Sequence, residues 1–250
     1  MEIVPIRLSP LVPPQDDLLA KIIASSLELQ DGDVLAISSK VVSIDEGRCI
    51  PTSAVQKRDL IRQESELFFA PAFTAKWNYF FTITQGALVG SAGIDESNAN
   101  GHFILWPKDP MHSAKRLRAA LMKQYGLKRF GVLITDSTSR PLRRGAIGFA
   151  LAWAGIDPLY DYRGTKDIFG RQIRVEQANI VDGLAAAAVL MMGEGSEQTP
   201  LTLMRGVPER VWKGRHTKRG WNELVVPLKD DLFAPFFAKV RWKKGSGSSN

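Results

Sequence analysis

The order of strand-like and helix-like segments is the sequence feature that most restricts the fold of this chain. Strand-like stretches at residues 2–7 and 33–38 flank a helix-like stretch at 16–27, but no regular alternation continues beyond them. A doubly wound parallel sheet requires strands and helices that alternate along the whole chain. The irregular order therefore predicts an α+β fold, with two lobes, and argues against a regular doubly wound sheet.

Hydrophobic periodicity assigns the remaining segments. Strands are predicted over residues 130–135 and 201–204, and a strand, turn and second strand over 79–89. Helices are predicted over residues 56–69, 113–125, 146–154 and 178–192. Gly126 is expected to end the helix over 113–125, because glycine readily adopts the left-handed conformation that follows many helices.

The composition is that of a globular protein without disulfides. With 44% hydrophobic and 24% charged residues, the chain is too apolar to be disordered. The longest apolar run, Leu184–Met192, has nine residues, whereas about 20 are needed to cross a bilayer, so no membrane span is expected. One cysteine excludes an intrachain disulfide, and three histidines argue against a histidine-rich zinc site. A reducing cytoplasm is the expected location, since no secretory signal pattern is visible.

The net charge of +7 lies entirely in the last fifth of the chain. Residues 201–250 hold 11 Lys and Arg against 4 Asp and Glu, so the first 200 residues are neutral. The basic residues form clusters at 213–219 and 239–244. Such clusters can bind nucleic acid. They also serve as solvated surface or as a rim that attracts a small anion, and this second interpretation is favoured.

One motif combines a strand end with carboxylate, hydroxyl and guanidinium groups. The apolar strand ends in Thr135, Asp136 and Ser137. Three arginines follow directly: Arg140, Arg143 and Arg144. Oxygen atoms of Asp and Ser suit Mg²⁺ or Mn²⁺, and guanidinium groups bind phosphate oxygens in pairs. The motif predicts a site for a metal–polyphosphate complex, with a polar turn carrying solvated arginines as the alternative.

Three further segments carry candidate groups, each with a purely structural alternative. The loop Gly93–Asn98 offers Asp95 as a ligand for a hard cation, or contains only an Asx turn. The segment Asp161–Arg171 could position an anionic substrate, or form weak local ion pairs. The two glycines of the segment Met192–Ser196 allow its backbone to approach a ligand closely, and Glu194 is a further possible metal ligand. The alternative is that the segment only ends a helix. No P-loop motif occurs in the chain.

The four segments, taken in their order along the chain, resemble those of the coenzyme F-420 γ-glutamyl ligases. These enzymes add L-glutamate to the deazaflavin coenzyme precursor. The resemblance runs from about residue 9 to residue 206. It includes Asp31–Leu35, Ser39–Ser43 and Glu46–Arg48. It implies a two-lobed α+β homodimer that uses GTP and Mg²⁺ or Mn²⁺, with two such ions and room for a monovalent cation. The domain prediction is a ligase region over 1–206, a basic aromatic segment over 207–244 and a flexible tail over 245–250.

The resemblance also assigns roles by motif match. The metal ligands would be Asp95, Asp136, Ser137 and Glu194. The nucleotide would contact Ser9, Pro10, Leu11, Val12, Ser39, Lys40, Asn98, Met192, Gly193, Gly195 and Ser196. The groups acting on the transferred phosphoryl would be Asp136, Arg140, Arg143 and Arg144. The base for the incoming amine is not identified, and Asp161 and Asp167 are the candidates.

Two departures from the family pattern concern the substrates. The resembling proteins usually have Lys at the position of Ile44 and Gly at the position of Ser139. Loss of a cation at residue 44 is expected to weaken phosphate binding or to change the choice of nucleotide. A folate or other pterin-type carboxylate therefore stays open as the acceptor. A non-catalytic nucleic-acid-binding protein is the distant alternative, but it would leave Asp95, Asp136 and Glu194 without a role.

Overall fold

The computed structural model describes residues 1–70, 79–212 and 224–247, so the basic cluster at 213–219 lies outside the described residues. The strands are β1 Glu2–Ile6, β2 Asp33–Ser38, β3 Cys49–Pro51, β4 Leu67–Phe69, β5 Phe81–Thr84, β6 Ala87–Gly90, β7 His102–Ile104, β8 Phe130–Ser139, β9 Ala146–Ala154, β10 Leu159–Asp161, β11 Gln177–Asn179, β12 Leu201–Arg205 and β13 Lys243–Lys244. The helices are α1 Leu18–Ala24, α2 Ser39–Asp45, α3 Lys57–Glu64, α4 Pro110–Tyr125, α5 Ile180–Met192 and α6 Ala234–Phe237. The arrangement is α+β, as predicted.

The largest sheet has five strands in the order β1-β12-β2-β8-β9. Strands β2 and β8 are parallel, from the pair Asp33–Phe130 to the pair Ser38–Thr135, and their neighbours are antiparallel. The two parallel strands are buried on both faces, since successive side chains point to opposite sides. Leu35 and Ile37 pack with α4 residues, whereas Val34 and Ala36 pack with α5 residues.

A second group of strands forms smaller sheets beside the first. Strands β13, β4, β5 and β6 make an antiparallel sheet in that order, and β3 pairs with β7. Leu60 and Ile61 of α3 pack with Phe103 of β7 in a separate core cluster. After β13, the backbone N–H groups of residues 245–247 donate to carbonyls at or just after the end of α3. The flexibility assigned to the tail stays a prediction.

Most predicted elements are confirmed, with ends that differ by a few residues. The strand over 33–38 has the predicted bounds. The segment 79–89 contains the hairpin of β5 and β6. The helix over 113–125 begins at Pro110 and ends before Gly126, whose φ of 67° is the left-handed conformation expected there.

Two helix predictions are wrong in whole or in part. Residues 146–154 form strand β9 and not a helix. Apolar residues fill both faces of this segment, so periodicity does not distinguish a strand from a helix, and pairing with β8 overrides the helix preference of alanine. The helix over 56–69 ends at Glu64, and Leu67–Phe69 is strand β4. Helix α2 was not predicted, and β8 continues four residues beyond its predicted end, to Ser139.

A β-bulge interrupts the pairing of β8 with β9. Ile134 pairs with Ala152 but Thr135 pairs with Ala150, so Leu151 is the extra residue. The N–H of Ala150 donates instead to Oδ1 of Asp182, in the first turn of α5, at 2.9 Å. Because a bulge bends the strand that carries the extra residue and increases the local twist, β9 is expected to bend beside the polar end of β8. None of the described helices combines the length and apolarity needed to cross a membrane.

Candidate functional site

A cavity of about 510 Å³ opens where the parallel strands β2 and β8 end. The carboxyl ends of adjacent parallel strands are a usual position for ligand sites in mixed sheets. The walls come from segments that are far apart in the sequence: residues 8–11, 38–44, 93–100, 104–106, 135–137, 189 and 192–200. The cavity is therefore assembled by the fold, and no single segment contains it.

Asp136 places an unneutralised carboxylate in the cavity wall. Its Oδ2 accepts from Ser39 Oγ at 3.1 Å and from Trp106 Nε1, and its Oδ1 accepts from the Ser137 N–H at 2.7 Å. The residue is half-buried at the cavity wall, and burial raises the pKa of Asp136 to about 6. The three hydrogen bonds lower that pKa and the charge of Asp95 raises it further. Within residues 1–70, 79–212 and 224–247, no lysine or arginine pairs with this carboxylate.

Asp95, in the loop after β6, is neutralised. Its Oδ2 lies 2.6 Å from Nζ of Lys40, the second residue of α2. Its Oδ1 accepts from the N–H and the hydroxyl of Ser97 at 2.7 and 2.9 Å. Burial alone would raise the pKa of Asp95, but Lys40 and Ser97 together bring it below its usual value. The two cavity carboxylates thus differ, since Asp95 has a cation partner and Asp136 has none among the described residues.

The segment after α5 closes the opposite side of the cavity. Ser137 Oγ donates to Oε2 of Glu194 at 3.3 Å. Asn98 Nδ2 donates to the carbonyl of Gly195 at 2.9 Å, which joins this segment to the Asp95 loop. Gly193 has a φ of 78°, and a Cβ at this position would overlap the carboxylate of Glu197. The backbone conformation at residue 193 therefore favours glycine, whereas the exposed Glu197 side chain could move away from a Cβ.

Comparison with known proteins identifies the family. The family model described as F420-0:Gamma-glutamyl ligase matches residues 6–206. The chain belongs to this family. A coenzyme F420:L-glutamate ligase of Methanopyrus kandleri is 36% identical over 245 residues, covering 92% of this chain and 96% of that protein. The corresponding ligase of Archaeoglobus fulgidus is 34% identical over 221 residues, covering 83% of this chain and 88% of that protein. This member of the family is accordingly an enzyme of the ligase class.

Most residues that the sequence analysis assigned to nucleotide or metal binding in this ligase lie around one cavity. The cavity is lined by Ser9, Pro10, Leu11, Ser39, Lys40, Asp95, Asn98, Asp136, Ser137, Met192, Gly193, Glu194, Gly195 and Ser196. Val12 is not among the lining residues, and its N–H donates to Asp16 Oδ2 at 2.9 Å. The roles of all these residues stay predictions.

The predicted arginines and candidate bases of the ligase lie away from this cavity. Arg140, Arg143 and Arg144 are exposed in the turn between β8 and β9, and Arg140 Nη2 is 4.0 Å from Asp182 Oδ2. Asp161 pairs with Arg163 at 2.6 Å, and Asp167 accepts from backbone N–H groups of its own loop. None of these five residues is among those that line the cavity in the described chain.

The donor groups of the cavity fit a divalent cation in chemistry, although they do not form a compact ligand cluster. Oxygen atoms of Asp, Glu and Ser are the ligands that Mg²⁺ and Mn²⁺ prefer. The carboxylate of Asp136 has no cation partner among the described residues, so a bound cation would neutralise a charge that the protein leaves unpaired. Over the described ranges, no group of three or more His, Cys, Asp or Glu residues is arranged to hold an ion by itself. The predicted set would therefore also need ligands from substrate or water.

Trp106 is a cavity residue that sequence reasoning missed. It lies just after β7 in an apolar stretch, where nothing in the local pattern distinguishes it from a core residue. Pairing of β7 with β3 and the hydrogen bond of Leu105 N–H to the Arg48 carbonyl bring it beside Asp136. Only long-range pairing places it there, so no signal in the sequence could have found it.

Proposed function

We propose that this enzyme forms an amide bond between L-glutamate and the carboxylate of the coenzyme F420 precursor, using GTP and a divalent cation. The two relatives are named as coenzyme F420:L-glutamate ligases, and the matches cover most of this chain. The observation that carries the proposal is the Asp136 carboxylate, half-buried and without a cation partner in the described chain, at the wall of a cavity. A cavity of about 510 Å³ is within the usual range for small-molecule sites.

The nucleotide would lie along the segments after β1, β2 and α5. Ser39 and Lys40 face it from α2, and the backbone at Gly193 and Gly195 can approach phosphate oxygens closely. Asp95, Asp136, Ser137 and Glu194 are the residues that would hold divalent cations, which neutralise phosphate charge when bound. Lys40 keeps Asp95 in place through a 2.6 Å ion pair and donates to Ser97 of the same loop. These residues would position the phosphate groups and help to neutralise their charge, and these are the main requirements of phosphoryl transfer.

The reaction divides into two steps. An oxygen of the acceptor carboxylate attacks the γ-phosphorus of GTP, so that an acyl phosphate forms and GDP leaves. The amine of L-glutamate then attacks the acyl carbon, the bond to the phosphate oxygen breaks, and phosphate leaves. The ammonium of L-glutamate loses one proton before it can attack and a second as the amide forms. Neither Asp161 nor Asp167 lines the cavity to receive them within one described chain.

A homodimer would explain the exposed apolar side chains of two loops that lie away from the cavity. Large apolar side chains are almost fully exposed on the β8–β9 turn and on the loop between β10 and β11: Leu142, Ile168, Phe169 and Val175. Exposed apolar groups of this size mark interaction surfaces. A second copy of the chain packed on these loops would bury them and would also enclose the exposed Arg140, Arg143 and Arg144.

A folate-type acceptor is the second candidate, and Ile44 is the observation that favours it. Ile44 borders the cavity but is only 2% exposed, so the residue at the position of the family's usual lysine packs into the core behind the cavity wall. An apolar side chain there removes one cation from the phosphate region and leaves an apolar wall. This change suits a different nucleotide or acceptor more than a different reaction.

The test is a mass-spectrometric assay with L-glutamate, Mg²⁺ or Mn²⁺, and GTP or ATP. The deazaflavin precursor and a monoglutamyl folate are offered in parallel reactions. Addition of one glutamate mass to the deazaflavin, with release of GDP, is the expected result. Addition to the folate alone would keep the reaction and move the enzyme to the second candidate. If neither acceptor gains glutamate with either nucleotide, the proposed function is wrong.

A further inference from the structure

Trp106 borders both carboxylate-bearing segments of the cavity. Its indole Nε1 donates to Oδ2 of Asp136. The same indole lies against Gly93, two residues before Asp95, so closely that a Cβ on Gly93 would overlap the ring. The residue is 4% exposed and lines the cavity. The position of this indole is therefore linked to the positions of both Asp136 and the Asp95 loop.

Trp106 is fixed by a hydrogen bond to its backbone carbonyl and by a ring packed against its indole. The carbonyl of Trp106 accepts from Arg48 Nε at 2.9 Å, and Arg48 also pairs with Glu64 of α3 at 2.6 Å. On the ring side, Phe149 of β9 packs against the indole with ring centroids 6.1 Å apart. Phe149 is the strand partner of Asp136 in the pairing of β8 with β9. A buried side chain fixed on both sides presents its N–H in one direction.

The hydrogen bonds to Asp136 are distributed unevenly between its two oxygens. Oδ2 accepts from both Ser39 and Trp106, whereas Oδ1 accepts only from the Ser137 N–H among the described residues. A carboxylate has about four acceptor positions, two on each oxygen. Oδ2 is therefore filled, and the remaining acceptor capacity of the carboxylate lies on Oδ1.

We propose that Trp106 is a positioning residue, whose indole N–H fixes the Asp136 carboxylate so that Oδ1 is left for a divalent cation. The inference rests on the proposed function only in taking Asp136 as a cation ligand. Trp106 acts through Asp136 and does not contact the reacting atoms. Partners that orient a ligand in this way are worth about 10- to 100-fold in metal affinity or activity.

The test measures Mn²⁺ binding to the full chain by calorimetry without nucleotide. Trp106→Phe keeps an aromatic ring beside Gly93 and Phe149 and removes the N–H. Trp153→Phe is the matched control, because Trp153 is also 4% exposed but packs in the core cluster on the α5 side of the sheet. Mn²⁺ binding is expected to weaken about 10- to 100-fold in Trp106→Phe and to stay unchanged in Trp153→Phe. In turnover assays, the Mn²⁺ concentration for half-maximal rate should rise in parallel, with the KM for L-glutamate unchanged.

A second measurement follows tryptophan fluorescence in the wild type and in the same two variants. Mn²⁺ at Asp136 would lie beside the Trp106 ring and quench its fluorescence, so Mn²⁺ should reduce tryptophan emission in wild type and in Trp153→Phe. The reduction should be largely lost in Trp106→Phe. Wild-type Mn²⁺ affinity in Trp106→Phe, or no Mn²⁺ binding by the unmodified protein, would overturn the inference. If Mn²⁺ binding behaves as expected but no acceptor gains glutamate, the inference stands and the proposed function alone fails.

Discussion

Asp95 and Asp136 illustrate how strongly one partner changes a carboxylate. Both lie in the same cavity wall, yet Lys40 lowers the pKa of Asp95, while burial raises that of Asp136 to about 6. Because Asp136 has no cation partner among the described residues, a bound cation would neutralise it, whereas Asp95 is already paired. The difference is a property of the fold, because both residues are ordinary loop or strand-end aspartates in the sequence.

Replacement of Asp136 should separate activity from stability. In Asp136→Ala we expect activity to fall by more than about 100-fold, since loss of a direct ligand should exceed the usual effect of its supporting partners. The fold should stay intact, with only a modest fall in melting temperature, because Trp106 Nε1 and Ser39 Oγ lose their acceptor while an unpaired carboxylate is removed. Rates at saturating metal and thermal melts of metal-free protein provide the check. Full activity at saturating metal would show that Asp136 is not a ligand.

At the scale of elements, the pairing of β8 with β9 aims the polar groups. The bulge at Leu151 lies directly before Asp136, and Asp182 of α5 satisfies the N–H that the bulge releases. Asp182 also bonds to Asn179, the N-cap of the same helix: its N–H donates to Asn179 Oδ1, and its Oδ2 accepts from Asn179 Nδ2. One carboxylate therefore ties the helix start to the bend in the sheet.

Asp182→Ala should weaken both the fold and the site. Loss of the acceptor leaves the Ala150 N–H without its partner, which costs about 1–3 kcal/mol in the free energy of unfolding. Turnover should fall as well, because the bend that positions Asp136 is less well held. Asp182→Asn is the control, since the amide oxygen can still accept. Equal stability of the alanine and asparagine variants in urea denaturation would contradict this explanation.

The turn before β2 makes stability depend on pH. Asp31 accepts from the N–H groups of Arg129 and Lys128 at 3.0 and 2.6 Å, and these bonds lower its pKa. A carboxyl with a lowered pKa in the folded state stabilises the fold above its unfolded pKa, and the effect is lost as pH falls through the folded value. Wild type should thus melt higher than Asp31→Asn at pH 7.

The comparison of wild type with Asp31→Asn at low pH tests whether the charge of Asp31 is responsible. The difference in melting temperature between wild type and Asp31→Asn should shrink steadily as the pH is lowered below about 4, the usual range of an aspartate. A difference that persists unchanged to pH 2 would mean that the charge of Asp31 is not what stabilises the turn.

Particular elements show how far the sequence predicts the fold. The strand over 33–38 is a short apolar run that follows the turn Asp31-Gly32, and the helix before Gly126 has a clear stop signal, so local rules suffice for both. Strand β9 could not be predicted, because its two faces are buried against different helices and carry no period. In the site, Asp95 and Asp136 were found from motifs. Trp106 depends on long-range pairing.

At the scale of the whole molecule, the cavity draws on separate parts of the chain. The Asn98–Gly195 hydrogen bond and the Lys40–Asp95 ion pair join segments that are 97 and 55 residues apart. The exposed apolar loops lie outside this assembly, at the turn of β8–β9 and between β10 and β11. A second copy of the chain is the occupant we propose for them.

Phe169→Asp should convert the proposed dimer to a monomer. Phe169 is 89% exposed in one chain, so a charge there has little effect on the fold of that chain but would have to be buried in an interface. Light scattering coupled to size exclusion gives the mass directly. Phe169→Leu keeps an apolar side chain and should leave the mass unchanged. If the wild type is a monomer, the proposed dimer is excluded. If Phe169→Asp keeps the mass of a dimer, the contact lies elsewhere on the surface.

The antiparallel pairing of β1 with β12 has a consequence for rearranged chains. Glu2 is the strand partner of Arg205, so the ligase region enters and leaves at neighbouring points on one edge of the five-stranded sheet. A few added residues could join these points into a closed circle of backbone. Circularly permuted versions, opened for example at the Gln85–Gly86 hairpin turn, should therefore retain the strand order and the cavity.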